Sequence, residues 1–337
     1  MRPLFAPHFR STLRLGYCSC QVSTTAGTSG SDAVRQLLAQ LKGRTTTRRQ
    51  VLDGNQLQKL SLTLNRPQLH RDVDVSKTTP ANGTVLPPDY HLVYFTPNGT
   101  EADLRSDGTD RSFNAPAPFT RRMSAGGLVK WTKGRPLRVG EEVEERTTLL
   151  AAELKKSRDG AEMIVVTVQK EFWGTQGLSV VDERSWIFRP ELPEPSHNQT
   201  VPTMLITEQT NVQTIEPSPT GFPERQMTWS PISLFRFSAL TFNAHRIHYD
   251  AAWSQGVENH PGLVVHGPLN LINLLDYWRD VHGVSGAEPS EISYRLLSPI
   301  YSGEPYEIKT LPSAQSGKVN VSIVKNGTAC MKADISE

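Results

Sequence analysis

Cysteine is scarce: the 337 residues hold three, Cys18, Cys20 and Cys330. An odd number, with two crowded near the N-terminus, builds no disulfide framework, so the fold must rest on a buried apolar core in a reducing setting. A single Cys-x-Cys without a second Cys or His pair at zinc-finger spacing makes no structural zinc site either. Charge of one sign is also lacking. Thirty-six Lys and Arg stand against 34 Asp and Glu, a formal +2, too weak and too dispersed for a surface that tracks phosphates, and nucleic acid is not an expected partner. Long apolar runs are missing too. The richest stretch, 263–278, is interrupted by His266, Asn270, Asn273 and Asp276, so no membrane-spanning helix is expected.

The last absence is local. Residues 1–31 contain no Asp, Glu or Lys but carry Arg2, Arg10 and Arg14 among many Ser and Thr. A secretory signal needs an unbroken apolar stretch, which His, Arg and Ser interrupt here. An Arg- and Ser-rich, acid-free leader reads as a mitochondrial transit peptide, an untargeted tail being the other reading. Without these three arginines the formal +2 becomes −1; the slight basic excess belongs to the leader.

What is present suffices for a folded protein of two domains: 37% of the residues are hydrophobic and the length is about twice that of a typical domain. Val34, Leu37, Leu38 and Leu41 recur at helical spacing within 32–62, whereas 63–90 is polar and rich in Pro and Asn, a loop pattern. Four prolines fall within 190–202, followed by Pro217, Pro219 and Pro223. Such a stretch holds no central strand, and the expected division is 32–190, a connection over 191–225, and 226–337.

The two halves resemble each other. Pro136, Gly140, Glu141, Glu144 and Thr147 recur as Pro299, Gly303, Glu304, Glu307 and Thr310 at a constant offset of 163. β-Branched runs follow Gly160 and Gly317, and Met123-Ser-Ala-Gly-Gly127 takes the relative place of Val265-His266-Gly267. An internal duplication follows, each half reading as a glycine-led helix and then antiparallel strands turning at 173–177 and at Asn326-Gly327. From Leu269 to Leu275 apolar residues cover most of the helical circumference. Such a helix must be enclosed by a curved sheet.

The chemistry is concentrated in one place. Four of nine histidines, His245, His248, His260 and His266, fall between 245 and 266. The pattern 235–242 reads as a strand leading into Asn243-Ala-His245-Arg246-Ile-His248-Tyr249-Asp250. An apolar stretch then delivers His266-Gly267-Pro268 at a helix start. An exposed polar loop is the plain reading of this cluster. A metal site on His245, His248 and Asp250 is a second, weakened by the absence of a Cys or Glu set to complete the shell. The third is a general acid/base site: His248 titrates near neutrality, with Asn243 or Asp250 positioning the imidazole or a water. Pro268 suits the first helical turn, and an amide at Gly267 would face developing negative charge, as on a thioester carbonyl turning into an enolate.

Residues 237–250 together with 261–269 resemble the MaoC-like hot-dog dehydratases, and more closely their mitochondrial 3-hydroxyacyl-thioester dehydratase branch. The resemblance implies an α+β double hot dog, two curved antiparallel sheets each wrapped on a long apolar helix and joined side by side, as a monomer or homodimer. The first half, with Pro118-Phe-Thr-Arg-Arg-Met-Ser-Ala-Gly-Gly127, is similar to the degenerate N-terminal hot dog of that branch. The implied reaction is dehydration of a (3R)-3-hydroxyacyl thioester of acyl carrier protein or CoA, without metal or other cofactor. The wider hydratase pattern Asp-x-Asn-Pro-x-His places His248 on the family's histidine and Asn243 on its aspartate. An amide accepts no proton, which leaves open whether His248 acts alone or Asp250 supplies a carboxylate. Gly267 carries over as the oxyanion amide, with His245, Arg246, Tyr249 and His266 lining the substrate site. Two other readings share the motif: a mesaconyl- or itaconyl-type hydratase, whose extra carboxylate would need Arg246 or Arg236, and an inactive thioester-binding protein.

Overall fold

The computed structural model describes residues 28–157, 159–192, 209–215, 221–283, 286–312 and 317–337. Most of the leader, with Cys18 and Cys20, lies outside the described residues. In chain order the first half holds α1 (Gly30–Leu41), β1 (Thr45–Val51), α2 (Gly54–Thr63), the short strands β2 (Gln68–His70) and β3 (Val73–Asp74), and then β4 (Arg121–Trp131), β5 (Glu142–Lys156), β6 (Glu162–Gly174) and β7 (Gly177–Arg189). The second holds β8 (Asn211–Ile215), β9 (Glu224–Thr228), α3 (Pro231–Leu240), α4 (Ala251–Gly256), α5 (Gly267–Val281), β10 (Glu291–Leu296), β11 (Tyr306–Leu311), β12 (Lys318–Lys325) and β13 (Thr328–Ser336).

Eleven strands form one antiparallel sheet, ordered β1-β5-β6-β7-β4-β10-β13-β12-β11-β9-β8. Outward from the β4–β10 seam each half repeats the same order, β4-β7-β6-β5-β1 on one side and β10-β13-β12-β11-β9 on the other. The duplicated turn is reproduced in detail. Gly140 and Gly303 both lie in the left-handed region, at φ +86° and +82°, a conformation that favours glycine. The glutamate after each reaches back to the backbone N–H three residues earlier, Glu141 to Arg138 at 3.0 Å and Glu304 to Tyr301 at 2.9 Å. The hairpin between β12 and β13 turns on Asn326 and Gly327, both at positive φ, as a two-residue Asn-Gly loop requires.

Helix α5 is the enclosed helix: every residue from Leu269 to Trp278 is buried. Burying so many apolar side chains, at about 1.5–3 kcal/mol each, makes this helix the main organiser of the second half. Two of its buried polar positions, Asn270 and Asp276, are paired, as burial demands. Tyr306 donates to Asn270 at 3.0 Å, and Asp276 accepts from Tyr90 at 2.8 Å and from Arg279 at 2.9 Å.

Three local expectations need correction. The 32–62 segment is two helices around a strand: the β-branched run Thr45-Thr-Thr pairs with β5, cross-strand pairing overriding the helical pattern. The 235–242 pattern is helical, not extended. Ser230 caps α3 with Pro231 in its first turn, and Leu234, Phe237 and Ser238 face inward at i, i+3 and i+4 while Ile232 and Phe235 are exposed. Met123–Gly127 starts no helix and lies within β4. The first half therefore has no counterpart of α5 in that place: α1 packs Ala33 and Leu37 over Ile164, Val166 and Phe188, and the segment 90–95 lays His91 and Phe95 on Phe172. Among its described residues the span 191–225 holds no central strand, since β8 lies at the sheet's edge beside β9.

The glycines of β4 have another use. A Cβ on Gly127 would lie 2.2 Å from the Glu183 carbonyl oxygen and 2.8 Å from the Tyr294 hydroxyl, and one on Gly126 would lie 2.3 Å from the Tyr294 carbonyl oxygen. The missing side chains let the two halves close edge to edge, Gly127 opposite Tyr294 in register.

Candidate active site

Five pieces of chain converge at the end of the seam: α3, the turn 241–248, the extended segment 261–266, the start of α5 and a loop of the first half. They line a cavity of about 1550 Å³ that also reaches β4, β6 and β7. Each catalytic candidate is placed by local bonding. Helix α3 ends at Leu240, and the chain turns at Phe242, φ +49°, into a 3-10 turn over Arg246–His248. Val264 ties this turn to the 261–266 segment: its N–H donates to the Ile247 carbonyl at 2.9 Å, and its carbonyl accepts from His248 Nδ1 at 2.7 Å.

That last bond fixes the chemistry of His248. A carbonyl only accepts, so Nδ1 carries the hydrogen and Nε2 holds a free lone pair. The residue is 7% exposed, and burial lowers its pKa to about 4, so it stands neutral at physiological pH with the Nε2 lone pair unprotonated. His266 stacks on it, the centroids 3.6 Å apart and the rings 18° from parallel. It is held by Ser238 Oγ at 2.8 Å from its Nε2 and by the edge of Phe237. His245 meets His248 edge-on, the centroids 5.4 Å apart. Burial, and then the proximity of His248, drives the pKa values of His245 and His266 well below the usual imidazole range.

The remaining candidates divide. Gly267 opens α5 on the cavity wall, where first-turn amides lack acceptors within the helix. A Cβ there would approach Leu296 Cδ2 to 2.7 Å and Ser124 Cβ to 3.4 Å. Asn243 lines the cavity, and its Oδ1 accepts from the His245 N–H at 3.1 Å, so it shapes the backbone of the histidine turn. Asp250 is a correction. Its Oδ1 caps α4 by accepting from the Trp253 N–H at 3.0 Å, and its Oδ2 binds Arg246 Nε at 3.0 Å and a second guanidinium nitrogen at 2.6 Å. Both oxygens are committed away from His248. Arg246 is thereby held over the Trp253 ring at 4.0 Å while still lining the cavity, as does Tyr249, whose hydroxyl donates to the Ala244 carbonyl at 3.0 Å. Arg236 is exposed on α3, away from the cavity wall.

Sequence reasoning missed Ser238, hidden in what read as a strand, and the first-half residues Asp107, Arg122 and Ser124. Asp107-Gly108 signals only a turn, and nothing local connects it to a site 140 residues later. Arg122 pairs with Asp110 at 2.7 Å, and its charge contributes to keeping His245 neutral. Deeper in the first-half arm, buried Glu145 is bonded by Arg48 and Lys170.

Among the described residues, one group brings three metal-ligand side chains together, Asp89, His91 and Asp182, with donor atoms within 4.8 Å of one another. Its His91 lines the cavity, Arg184 grips Asp182 and holds its carboxyl ionised, and burial pushes the Asp89 carboxyl up, toward its protonated form.

The family model for hydroxyacyl-thioester dehydratase type 2 matches residues 89–302. A mesaconyl-C(4)-CoA hydratase of Chloroflexus aurantiacus is 32% identical over 243 residues, covering 69% of this chain and 78% of that protein. The mitochondrial hydroxyacyl-thioester dehydratase type 2 of Schizosaccharomyces pombe is 29% identical over 246 residues, covering 68% and 79%. A MaoC-like dehydratase structure superposes with a TM-score of 0.61 at 14% identity, over 89% of this chain and 98% of that one. The Phytophthora capsici MaoC-like dehydratase gives 0.60 at 13%, over 90% and 98%. These two likenesses carry the fold. With the paired half-sheets meeting at one seam, the enclosed helix and the histidine cluster beside it, the chain belongs to the hydroxyacyl-thioester dehydratase type 2 family, hydro-lyases here on a double hot-dog scaffold.

Proposed function

We propose that the protein interconverts (3R)-3-hydroxyacyl and trans-2-enoyl thioesters in mitochondrial fatty-acid synthesis. The observation that carries this reading is His248: a buried, neutral imidazole with Nδ1–H fixed on Val264 and Nε2 free, on the wall of a cavity that begins at the N-terminus of α5. In dehydration, Nε2 takes the proton from C2. The electron pair left behind delocalises onto the thioester oxygen, which the Gly267 N–H meets. As the C2=C3 double bond forms, the C3–O bond breaks, and the departing oxygen takes the same proton from His248 and leaves as water. The enzyme returns to its starting state with no group consumed. A cavity of about 1550 Å³ is larger than the usual 300–1,000 Å³ of a small-ligand pocket, which suits an acyl chain running with its thioester arm. The mitochondrial assignment is supported by the Schizosaccharomyces pombe relative and by the Arg-rich, acid-free composition of residues 1–31.

The test is hydration of crotonyl-CoA by the wild type and by His248→Ala. Removing a general base costs about 10²–10⁴ in turnover, with the fold retained by circular dichroism. Wild-type rates in the variant would refute the assignment. The 32% identity to the mesaconyl-C(4)-CoA hydratase favours one second reading, hydration of a dicarboxylyl thioester whose far carboxylate meets Arg122 or Arg246. Turnover of mesaconyl-CoA well above that of crotonyl-CoA in a side-by-side assay selects it. Carrier-protein and CoA thioesters of increasing length, assayed together, define handle and chain.

A further inference from the structure

Asp107 belongs to the first half, yet it is seated on the histidine turn of the second. Gly108 beside it, at φ +82°, lies so close to that turn that a Cβ would fall 1.8 Å from the Ala244 carbonyl oxygen. The Arg246 N–H donates to the Asp107 carbonyl at 2.8 Å. The side chain is 12% exposed, and its Oδ1 is occupied, accepting from the Thr109 N–H at 2.8 Å and from the Thr109 hydroxyl at 2.7 Å. This leaves Oδ2 facing His245 Nε2 at 3.9 Å. His245 is thus fixed at its backbone, its N–H donating to Asn243 Oδ1, and its ring stands 3.9 Å from a carboxyl group of the other half of the chain. The ring lines the cavity, edge-on to His248.

We propose that His245 is a catalytic residue that accepts the hydrogen bond of the substrate's 3-hydroxyl, or of the attacking water, and that Asp107 is the positioning residue that fixes its tautomer. The proposal rests on the dehydratase reading above and names the carboxylate that Asn243 does not supply. A carboxylate only accepts, so the tautomer with its hydrogen on Nε2 is the one that faces Asp107, and Nδ1 is left as a lone pair. Through the reaction His245 gains and loses no proton. The C2 proton travels on His248 Nε2 to the departing oxygen, while His245 Nδ1 holds that oxygen's own hydrogen and so aims it. The two halves therefore build one site together: the second brings the histidines, and the first brings the charge that orients one of them.

Full-length protein carrying ¹⁵N-labelled histidine and the isosteric variant Asp107→Asn decide the matter. Long-range ¹H–¹⁵N spectra should show His245 as the Nε2–H tautomer in the wild type and a shift toward Nδ1–H in Asp107→Asn, where an amide hydrogen replaces the carboxylate lone pair. A wrong tautomer is costly to turnover, so kcat on crotonyl-CoA should fall at least about tenfold with KM held within about twofold, and Asp107→Glu should recover part of the loss. An Nδ1–H tautomer in the wild type overturns the proposal, as does an unchanged kcat in Asp107→Asn. So does a loss of kcat matched by Thr109→Val, which loosens the same loop and leaves the carboxylate in place. Absence of turnover in the wild type sinks the dehydratase reading itself and this proposal with it; normal wild-type turnover with an indifferent Asp107→Asn sinks the proposal alone.

Discussion

Acid should loosen this protein through its active site before it reaches the carboxylates. His248 has an ordinary value of 6.5 and is lowered by burial to about 4. The unfolded chain therefore binds the proton more readily than the folded one, and the stability that the neutral ring supports is complete above pH 6.5 and lost as the pH falls toward 4. The whole effect is about 3.4 kcal/mol for this one ring, of which about 1.8 kcal/mol falls between pH 7 and pH 5. Buried His245 and His266 are shifted the same way and steepen the loss. Asp89, shifted up, opposes it over the same range, so the wild-type curve alone is no test. The comparison is with His248→Gln, in which every other group is common to both proteins. Urea unfolding at pH 7 and pH 5 should show the variant losing about 1.8 kcal/mol less than the wild type over that interval. Parallel losses in the two proteins would refute the account of His248 as a buried neutral base.

Three further outcomes follow from positions already described. Gly267→Ala meets only the end of the Leu296 side chain at 2.7 Å, so stability should change by no more than about 1 kcal/mol. Displacing an oxyanion donor should lower kcat by about tenfold or more, and unchanged kinetics would remove the Gly267 amide from the mechanism. Gly127→Ala confronts a backbone oxygen at 2.2 Å, which cannot give way without opening the seam. A loss of at least about 2 kcal/mol is expected, and a calorimetric Tm equal to the wild type's would contradict the close approach of the halves. Asp89→Asn removes a carboxyl that holds its proton more tightly folded than unfolded, an effect that erodes stability as pH rises. The variant's Tm should gain on the wild type's from pH 5 to pH 8; a gap that widens in the opposite direction would show Asp89 to be needed as an anion.

The sequence carried the parts of the fold that local chemistry dictates. The run from Leu269 to Leu275 is apolar around its circumference, and only enclosure satisfies it; Gly140 and Gly303 mark turns that glycine serves best, and both take positive φ. It misled where local pattern and tertiary context part. Phe235 and Phe242 look like strand residues, but both are exposed, and the inward face of α3 is set by Leu234, Phe237 and Ser238. Gly126-Gly127 reads as a helix start because small residues precede α5 as well, yet these glycines answer to a neighbouring strand. In the candidate site, His248 and Gly267, which the sequence singled out on two short nearby segments, both come to the cavity wall. Asp250 was misjudged because adjacency in sequence suggested a catalytic partner, whereas an aspartate just before a helix is first of all a cap. Asp107 was invisible, since its nearness to His245 exists only once segments about 140 residues apart in the chain have met.

The seam between β4 and β10 has a consequence for symmetry. In a pair of identical subunits a two-fold axis forces every contact to occur twice, so a strand offering a glycine must also offer whatever fills the space above it. Here Gly127 receives Tyr294, a hand-in-glove contact made once, with glove and hand on different strands. With both halves in one chain, neither face of the seam has to complement itself, so the two faces can differ where a homodimer's must be the same.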